Sequence, residues 1–224
     1  DFYYWIIYKY EKKIVILGST GSIGKNLVNI LKKDKKNFDV CLLSVNKNII
    51  EILKQIKIFN VKNIVVTNYQ KFLQIKKILN KKNINIFNNF DSINKIFNKK
   101  KIDYVMSSIS GIEGLEPTIK MIKFTKKIAI ANKESIICGW PLIKKELLKN
   151  KTKFIPIDSE HYSIYSLIGK SKNVNIEKVF LTASGGPFNN YPLNKFKSIK
   201  LKSALNHPNW KMGKKITIDS ATMM

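Results

Sequence analysis

The sequence has few cysteines, no arginine and no long apolar run. Cys41 and Cys138 both lie in apolar surroundings, so a disulfide scaffold is not expected and a reducing compartment fits. No apolar run reaches the roughly 18 residues that a membrane-spanning helix needs, so no membrane partner is expected. The opening stretch Phe2 to Tyr8 is aromatic and apolar and lacks a preceding basic region. We interpret residues 1–12 as an N-terminal extension, either disordered or the remnant of a leader.

Acidic residues are also scarce, with 15 Asp and Glu against 41 Lys and Arg and a formal net charge of +26. Every one of these cations is Lys, and they are spread along the whole chain. Proteins that recognise bases and phosphates usually use the planar fork of Arg. We therefore attribute the charge to a compositional bias towards Lys, Asn and Ile, and expect no nucleic-acid partner. A basic nucleic-acid-binding module is the non-enzymatic alternative, and it predicts steeply salt-dependent binding.

The chain changes character near residue 150. Up to that point, short β-branched runs alternate with amphipathic helices, which predicts a mostly parallel sheet with helices on both faces. The strands predicted there are 13–18, 39–45, 62–67, 84–87, 102–109 and 127–132. The strands predicted beyond it are 153–157, 177–183 and 215–219. A short helix is predicted after Ser159. We therefore predict an α/β, Rossmann-like NADPH-binding domain over 13–150 and an incomplete α+β catalytic domain over 151–224.

A glycine-rich segment, Gly18-Ser-Thr-Gly21-Ser-Ile-Gly24, follows the first predicted strand and opens a helix. Glycines let the backbone turn tightly and approach a pyrophosphate, and the helix N-terminus supplies N–H groups and a positive dipole. The pattern therefore predicts a dinucleotide-phosphate site. A glycine-rich turn without a ligand would show the same local pattern.

The end of the second predicted strand carries a cation and no acid. Enzymes that use NAD place Asp or Glu there to bind the ribose 2′-hydroxyl, whereas this sequence has Asn46, Lys47 and Asn48. A cation suits a 2′-phosphate, so the sequence favours NADPH. The alternative is that Lys47 is one more surface lysine.

Three further segments carry polar side chains, and each segment by itself is weak evidence for a binding site. The run 132–135 lies where a strand ends, a usual place for ligands in open α/β sheets, but it is also typical of a solvated helix start. Asp158 and Glu160 would face the same way in extended backbone and could hold Mg²⁺ or Mn²⁺. Alternatively, Ser159 caps a helix with Glu160 in its first turn. The segment 182–188 is either an oxyanion or phosphate cradle or a structural turn.

The segment 207–213 carries His207, Trp210 and Met212, of which the last two lie between Pro208 and Gly213. Aromatic and apolar side chains on such a loop are typical of a mobile lid that closes over a substrate. A small satellite core is the alternative.

Together, the segments GSTGSIG, ANKES, PIDSEH, TASGGPF and HPNWKMGKKITIDSATMM stand in the order seen in the 1-deoxy-D-xylulose 5-phosphate reductoisomerase family, which residues 13–224 resemble. The resemblance implies an enzyme of the non-mevalonate isoprenoid pathway. With NADPH and Mg²⁺ or Mn²⁺, such an enzyme rearranges and reduces 1-deoxy-D-xylulose 5-phosphate to 2-C-methyl-D-erythritol 4-phosphate. It also implies a homodimer, cytoplasmic in bacteria or in the plastid stroma of eukaryotes. The alternative enzyme is another NADP-dependent two-domain dehydrogenase, such as a homoserine- or semialdehyde-type enzyme.

The resemblance also implies a role for individual residues. The implied cofactor-binding residues are Gly18, Thr20, Gly21, Ser22, Ile23, Asn46, Lys47, Asn48, Asn132, Glu134 and Gly213. The implied catalytic residues are Lys133, Asp158, Glu160 and His207, with Asp158 and Glu160 as metal ligands. The implied substrate-binding residues are Lys133, Ser159, Ser184, His207, Trp210, Met212 and Ser220.

We expect the chain to be a fragment. It has no initiator Met, and the family's phosphate-binding Asn-Lys pair and third metal-ligating Glu would follow Met224, as would a C-terminal helical domain. The expectation is that these 224 residues bind NADPH but are inactive by themselves.

Overall fold

The computed structural model describes residues 11–80, 82–97, 102–168, 176–180, 185–211 and 213–222. The strands are Lys12–Leu17 (β1), Phe38–Val45 (β2), Asn63–Val66 (β3), Asn85–Phe87 (β4), Tyr104–Ser107 (β5), Lys127–Ile130 (β6) and Lys153–Pro156 (β7). The α-helices are Ser22–Lys33 (α1), Ile49–Phe59 (α2), Tyr69–Ile78 (α3), Ile93–Ile96 (α4), Leu115–Ile122 (α5), Lys133–Asn150 (α6), Ser159–Ile168 (α7), Leu201–Ala204 (α8) and Lys214–Asp219 (α9). None of these helices is long and apolar enough to cross a membrane.

All seven strands run parallel in one sheet, in the order β4-β3-β2-β1-β5-β6-β7. Along the chain, β2, β3 and β4 are added in turn on one side of β1, and the chain then crosses to β5 on the other side of β1. This reversal creates a topological switch point between β1 and β5, where ligands of such sheets bind at the carboxyl ends of the strands. The predicted α/β fold is confirmed, and each strand predicted between residues 13 and 132 is present.

Aliphatic residues cover both faces of the sheet. In β1, Ile14 and Ile16 belong to one buried cluster while Val15 and Leu17 belong to another, because successive side chains of a strand point to opposite faces. Helices α1, α2 and α3 contribute to the first cluster, and α4, α5 and α6 to the second. The inner strands are therefore buried on both sides, which is why they appear as near-continuous apolar runs in the sequence.

Asparagine side chains cap the N-termini of three of the helices that follow strands. The side chains of Asn48, Asn68 and Asn132 each accept a hydrogen bond from the backbone N–H three residues on, at 3.1, 3.0 and 3.0 Å, at the starts of α2, α3 and α6. Helix α1 differs, because it begins after Gly21 with no side-chain cap. Its first-turn N–H groups therefore lack the side-chain acceptor that the other three helices have.

The strand predicted at 153–157 belongs to the main sheet and not to a second one. It is β7, which pairs in parallel with β6. The pairing follows from the end of α6, where Lys151 adopts a left-handed conformation (φ 52°) that turns the chain back to the sheet. The chain accordingly divides into two compact units between residues 170 and 171. The assignment of NADPH binding to residues 13–150 and of catalysis to residues 151–224 stays a prediction.

The strand predicted at 215–219 is wrong, because this segment is the helix α9. The N–H groups of Thr217 and Ser220 each bond to the carbonyl four residues back at 3.0 Å, and no strand lies among the described residues of 185–222 to offer a pairing edge. The alternating Ile residues that suggested a strand are instead exposed on the helix, at 55% for Ile216 and 44% for Ile218. Of the strand predicted at 177–183, residues 177–180 form none, and 181–183 lie outside the described residues.

Candidate cofactor and metal site

Residues 18–24 connect β1 to α1 at the carboxyl edge of the sheet, beside the switch point. Gly18 has a φ of +77°, and a Cβ atom there would lie 2.8 Å from the carbonyl oxygen of Ser108, just after β5. A Cβ atom on Gly24 would meet the Gly18 carbonyl oxygen and lie 2.7 Å from the Cα of Ser19. Both positions therefore require glycine, because the two loops and the first turn of α1 approach too closely for a side chain. Such a turn leaves the backbone open to a phosphate.

The N-terminal end of α1 is suited to an anion. The Gly21 N–H donates to the Gly18 carbonyl at 3.1 Å, and the Lys25 N–H donates to the Gly21 carbonyl at 2.9 Å, which closes the turn. The helix has no side-chain cap and no acid in its first turn, so its positive end is not offset by its own residues. Gly21, Ser22 and Ile23 are exposed. These predicted cofactor residues lie together at the start of α1, where an anion is favoured.

Two buried side chains hold the beginning of this turn, and the sequence patterns did not single out either of them. The Ser44 hydroxyl accepts the Gly18 N–H at 2.8 Å, and the Ser44 carbonyl accepts the Ser19 N–H at 3.0 Å. The Gln55 amide nitrogen donates to the Ser19 carbonyl at 3.0 Å. Two features of the sequence could have revealed them. Ser44 is a hydroxyl residue near the end of a buried strand, and Gln55 is a polar residue within the apolar stripe of α2.

The three residues that directly follow β2, the strand next to β1, include one positive charge. Asn46, Lys47 and Asn48 are all exposed. The Asn46 amide donates to the Thr67 hydroxyl at 2.8 Å, which ties the ends of β2 and β3 together, and the Asn48 side chain caps α2. Lys47 is the one cation of the three, and it fits the predicted role beside an adenosine 2′-phosphate.

Asn132 links the loops that follow β5 and β6. Its side-chain nitrogen donates to the carbonyls of Ile109 and Gly111, both at 2.5 Å, while its oxygen caps α6. Asn132 is buried, Lys133 is exposed and Glu134 is partly buried. The Asn132 amide is thus engaged within the protein as a tie between loops, and direct contact of residues 132–134 with a cofactor or substrate stays a prediction.

Asp158 caps α7, a position that the alternative interpretation of the sequence gave to Ser159. Its Oδ1 accepts the His161 N–H at 3.1 Å and lies 2.6 Å from the ring Nδ1 of His161. Its Oδ2 is buried without a hydrogen-bond partner among the described residues. Burial acts to raise the pKa of Asp158, but the hydrogen bonds and charge of His161 outweigh it and hold that pKa below its usual value. A buried, ionised carboxylate with one unpaired oxygen is suited to a cation.

The extended geometry that would align Asp158 with Glu160 is not present. Helix α7 begins at residue 159, so the two carboxylates flank its first residue and do not alternate along a strand. The part of the chain that the structure describes holds no group of three or more His, Cys, Asp or Glu placed to bind a metal. Two neighbouring carboxylates, one with a buried unpaired oxygen, nevertheless fit part of the oxygen donor set of Mg²⁺ or Mn²⁺.

The second compact unit contains the predicted lid. His207 is buried, and its Nδ1 accepts the backbone N–H groups of Asn209 and Trp210, both at 3.1 Å. These bonds place the proton of the neutral ring on Nε2. Trp210 is 60% exposed, and a Cβ atom on Gly213 would have no atom within 4 Å. An exposed tryptophan beside a fixed histidine suits a lid, which stays a prediction.

The segment 185–188 packs against the end of α9. A Cβ atom on Gly186 would overlap the backbone of Ser220 and Ala221, and the Phe188 N–H donates to the Ala221 carbonyl at 2.8 Å. The buried Ser220 hydroxyl donates to the Ile216 carbonyl at 2.9 Å. The glycine at 186 thus has a structural cause. Ser184, Met212 and the side chain of Ser159 lie outside the described residues.

Comparison with protein families gives one consistent result. The family model described as 1-deoxy-D-xylulose 5-phosphate reductoisomerase matches residues 14–139, and that of the same family's C-terminal domain matches residues 154–224. A reductoisomerase of that name from Pelagibacter ubique is 63% identical over 214 residues, covering 95% of this chain and 55% of the relative. One from Clostridium kluyveri is 43% identical over 215 residues, covering 95% and 56%. The chain spans about half the length of the curated relatives it matches.

Solved structures give the same family. The Zymomonas mobilis reductoisomerase in complex with NADPH is similar at a TM-score of 0.81 with 27% identity, covering 95% of this chain and 54% of that one. A reductoisomerase in complex with NADPH, fosmidomycin and magnesium is similar at a TM-score of 0.80 with 29% identity, covering 94% and 54%.

Proposed function

Because this chain belongs to the 1-deoxy-D-xylulose 5-phosphate reductoisomerase family, we propose that it supplies the NADPH-binding part and two metal-binding carboxylates of such an enzyme. The observation that carries the proposal is the turn at residues 18–24. This turn lies at the switch point of the sheet, and at two of its glycines a Cβ atom would overlap backbone atoms. It leads into a helix whose N-terminus has no side-chain cap. The reaction would convert 1-deoxy-D-xylulose 5-phosphate to 2-C-methyl-D-erythritol 4-phosphate.

Residues of the sheet unit would hold the cofactor along the edge of the sheet. The first-turn amides of α1 and the Thr20–Ile23 segment would bind the pyrophosphate, and Lys47 would lie beside the 2′-phosphate. Asn132 would act through its hold on the loop after β5, because its own amide bonds to Ile109 and Gly111. The absence of an acid at the end of β2 supports NADPH over NADH.

Asp158 and Glu160 would hold Mg²⁺ or Mn²⁺ through carboxylate oxygens. The buried Oδ2 of Asp158, which has no hydrogen-bond partner among the described residues, supports this assignment. Bound NADPH supplies hydride, and the bound metal supplies a Lewis acid for the carbonyl of the substrate. His161 keeps the other oxygen of Asp158 in place and so fixes the direction of the carboxylate.

The remaining predicted residues would hold the substrate and exclude water. Lys133 is an exposed cation at the N-terminus of α6, which suits a phosphorylated substrate. The Nε2–H of His207 is a donor fixed by the two bonds to Nδ1, and the exposed Trp210 is placed on the predicted lid. Ser159, Ser184, Met212 and Ser220 complete the proposed substrate set.

We propose the assembly and the compartment of the whole protein from its membership of this family. The relatives from Pelagibacter and Clostridium are bacterial, which supports the bacterial cytoplasm over the plastid stroma. A homodimer is the expected assembly of the whole protein.

The test is a turnover assay of a protein of the relatives' length that contains these residues. It receives 1-deoxy-D-xylulose 5-phosphate, NADPH and Mn²⁺, and the product is identified by NMR. The proposal predicts 2-C-methyl-D-erythritol 4-phosphate, with turnover lost on chelation of the metal and restored by adding it back. Turnover that survives metal removal, or reduction of a homoserine- or semialdehyde-type substrate instead, would favour the alternative dehydrogenase.

A further inference from the structure

Gln55 is a polar residue in the most apolar part of its helix. Its neighbours on the buried stripe of α2 are Ile49, Ile52 and Ile56, and Gln55 itself is fully buried at 0% exposure. Burying an amide is unfavourable unless it is hydrogen-bonded. Its presence there therefore requires an explanation in terms of what the amide holds.

Both N–H bonds of the Gln55 side chain are used. The nitrogen donates to the Ser19 carbonyl at 3.0 Å and to the Glu51 carboxylate at 3.2 Å. Both partners are acceptors only, so the nitrogen and not the oxygen must face them, which fixes the orientation of the amide. The Gln55 oxygen is buried without a partner among the described residues. An aliphatic residue of equal length would avoid that unsatisfied oxygen, but it would leave the Ser19 carbonyl without its donor.

The Ser19 carbonyl sets the direction of the next amide in the cofactor turn. In a planar trans peptide, the C=O of one residue and the N–H of the next point in opposite directions. Gln55 draws the Ser19 carbonyl towards the buried face, so the Thr20 N–H is turned the opposite way. The described residues provide no acceptor for that N–H, and Thr20 is only partly buried.

We propose that Gln55 is a positioning residue for the pyrophosphate of the cofactor. Through the Ser19–Thr20 peptide it aims the Thr20 N–H at the ligand, while Ser44 holds the other side of the same turn through Gly18 and Ser19. Gln55 touches neither cofactor nor substrate, and acts through the backbone it holds. The inference rests on the proposed NADPH site and adds a residue that determines its geometry.

The test compares two ligands on the intact 224-residue chain and its Gln55→Met variant. NADPH carries the pyrophosphate, whereas adenosine 2′-monophosphate carries the adenosine and 2′-phosphate alone. We expect Gln55→Met to raise the Kd of NADPH on the order of tenfold, which corresponds to about 1.4 kcal/mol. The Kd of adenosine 2′-monophosphate, measured by NMR titration, should stay unchanged. A merely structural role would weaken both ligands to the same degree.

A control in the same helix separates positioning from packing. Ile56→Val trims a buried neighbour of Gln55 that holds no part of the turn, and should leave both Kd values unchanged. The wild-type chain gives a measurement that needs no substitution. The Gln55 side-chain NH₂ signals should shift with NADPH and stay in place with adenosine 2′-monophosphate.

The outcomes distinguish this inference from the proposed function. A wild-type chain that binds no NADPH contradicts the proposed function itself. A wild-type chain that binds NADPH overturns the inference if Gln55→Met binds it equally well. The inference is also overturned if both ligands weaken together or, should the variant not fold, if the wild-type NH₂ signals respond to both ligands alike.

Discussion

The hydroxyl oxygen of Ser44 lies 2.8 Å from the backbone nitrogen of Gly18 and accepts its N–H. This bond joins the end of β2 to the first residue of the cofactor turn, at the position where Gly18 has a positive φ and lies against the Ser108 carbonyl. Ser44 is nearly fully buried, so no water replaces the bond if it is lost. The shape of the turn thus depends on a neighbouring strand as well as on its own glycines.

Substitution of Ser44 by alanine should leave the Gly18 N–H buried and unsatisfied. A buried donor without a partner costs about 1–3 kcal/mol, so the free energy of unfolding in urea should fall by that amount. Ser203→Ala, the same change at an exposed site, should alter it by less than about 0.5 kcal/mol. Equal stabilities for Ser44→Ala and Ser203→Ala would show that this bond contributes nothing to the turn.

Gly24→Ala should distort the turn where α1 begins. Its Cβ would meet the Gly18 carbonyl oxygen, which is backbone and cannot move aside as a flexible side chain could. Overpacking of this kind costs about 1–3 kcal/mol, and NADPH binding should weaken with it. Gly213→Ala is the matched control for stability, because its Cβ would meet nothing within 4 Å. If thermal unfolding of Gly24→Ala and Gly213→Ala shifted equally, the close approach at Gly24 would be refuted.

Asp158→Asn separates the helix cap from the proposed metal ligand. The Asn oxygen can still accept the His161 N–H and cap α7, so the fold should survive, but the negative charge is lost. We expect the affinity for Mn²⁺, measured by electron paramagnetic resonance titration, to fall at least about tenfold, or about 1.4 kcal/mol. Asp34→Asn makes the same change in an exposed turn and should leave Mn²⁺ affinity unchanged. Equal Mn²⁺ binding by both variants and the wild type would exclude Asp158 as a ligand.

The two cysteines should react at very different rates. Burial, together with the neighbouring Asp39 carboxylate, raises the pKa of the Cys41 thiol to about 12, whereas Cys138 is exposed. Since the thiolate is the reactive form, iodoacetamide at pH 8 should modify Cys138 and leave Cys41 intact until the chain unfolds. Mass spectrometry of Cys138→Ser should then find no adduct under native conditions. Rapid labelling of Cys41 in that variant would contradict the partial burial and raised pKa of this thiol.

The sheet was predictable because its inner strands are buried on both faces. A short, wholly apolar run such as Ile14-Val-Ile-Leu17 can be recognised as a buried strand from its own residues alone. The Asn residues after the strands mark where helices begin. The segment Lys214–Asp219 misled because Ile216, Thr217 and Ile218 are β-branched. Such side chains favour a strand only where a neighbouring strand packs against them, and this tertiary context is not written in six residues.

The candidate site was predictable where function requires a particular residue type at a fixed spacing. The glycines at 18 and 24 and the missing acid before Lys47 are of this kind. Ser44 and Gln55 were not predictable, because each acts through hydrogen bonds to a turn that is 25 or more residues away in the sequence. Asp158 was expected in an extended segment, but its hydrogen bond to the His161 N–H begins a helix there, and its role as a metal ligand stays a prediction.

The most direct test of the account is a fluorescence titration of the 224-residue chain with NADPH and NADH, repeated with Lys47→Glu and Lys54→Glu. Both lysines are exposed, but Lys47 stands at the end of β2 and Lys54 lies within α2. The account predicts saturable binding with NADPH preferred over NADH. It also predicts at least an approximately tenfold loss of NADPH affinity, about 1.4 kcal/mol, in Lys47→Glu alone. No saturable binding by the wild-type chain, or equal affinity for the two cofactors, would contradict it.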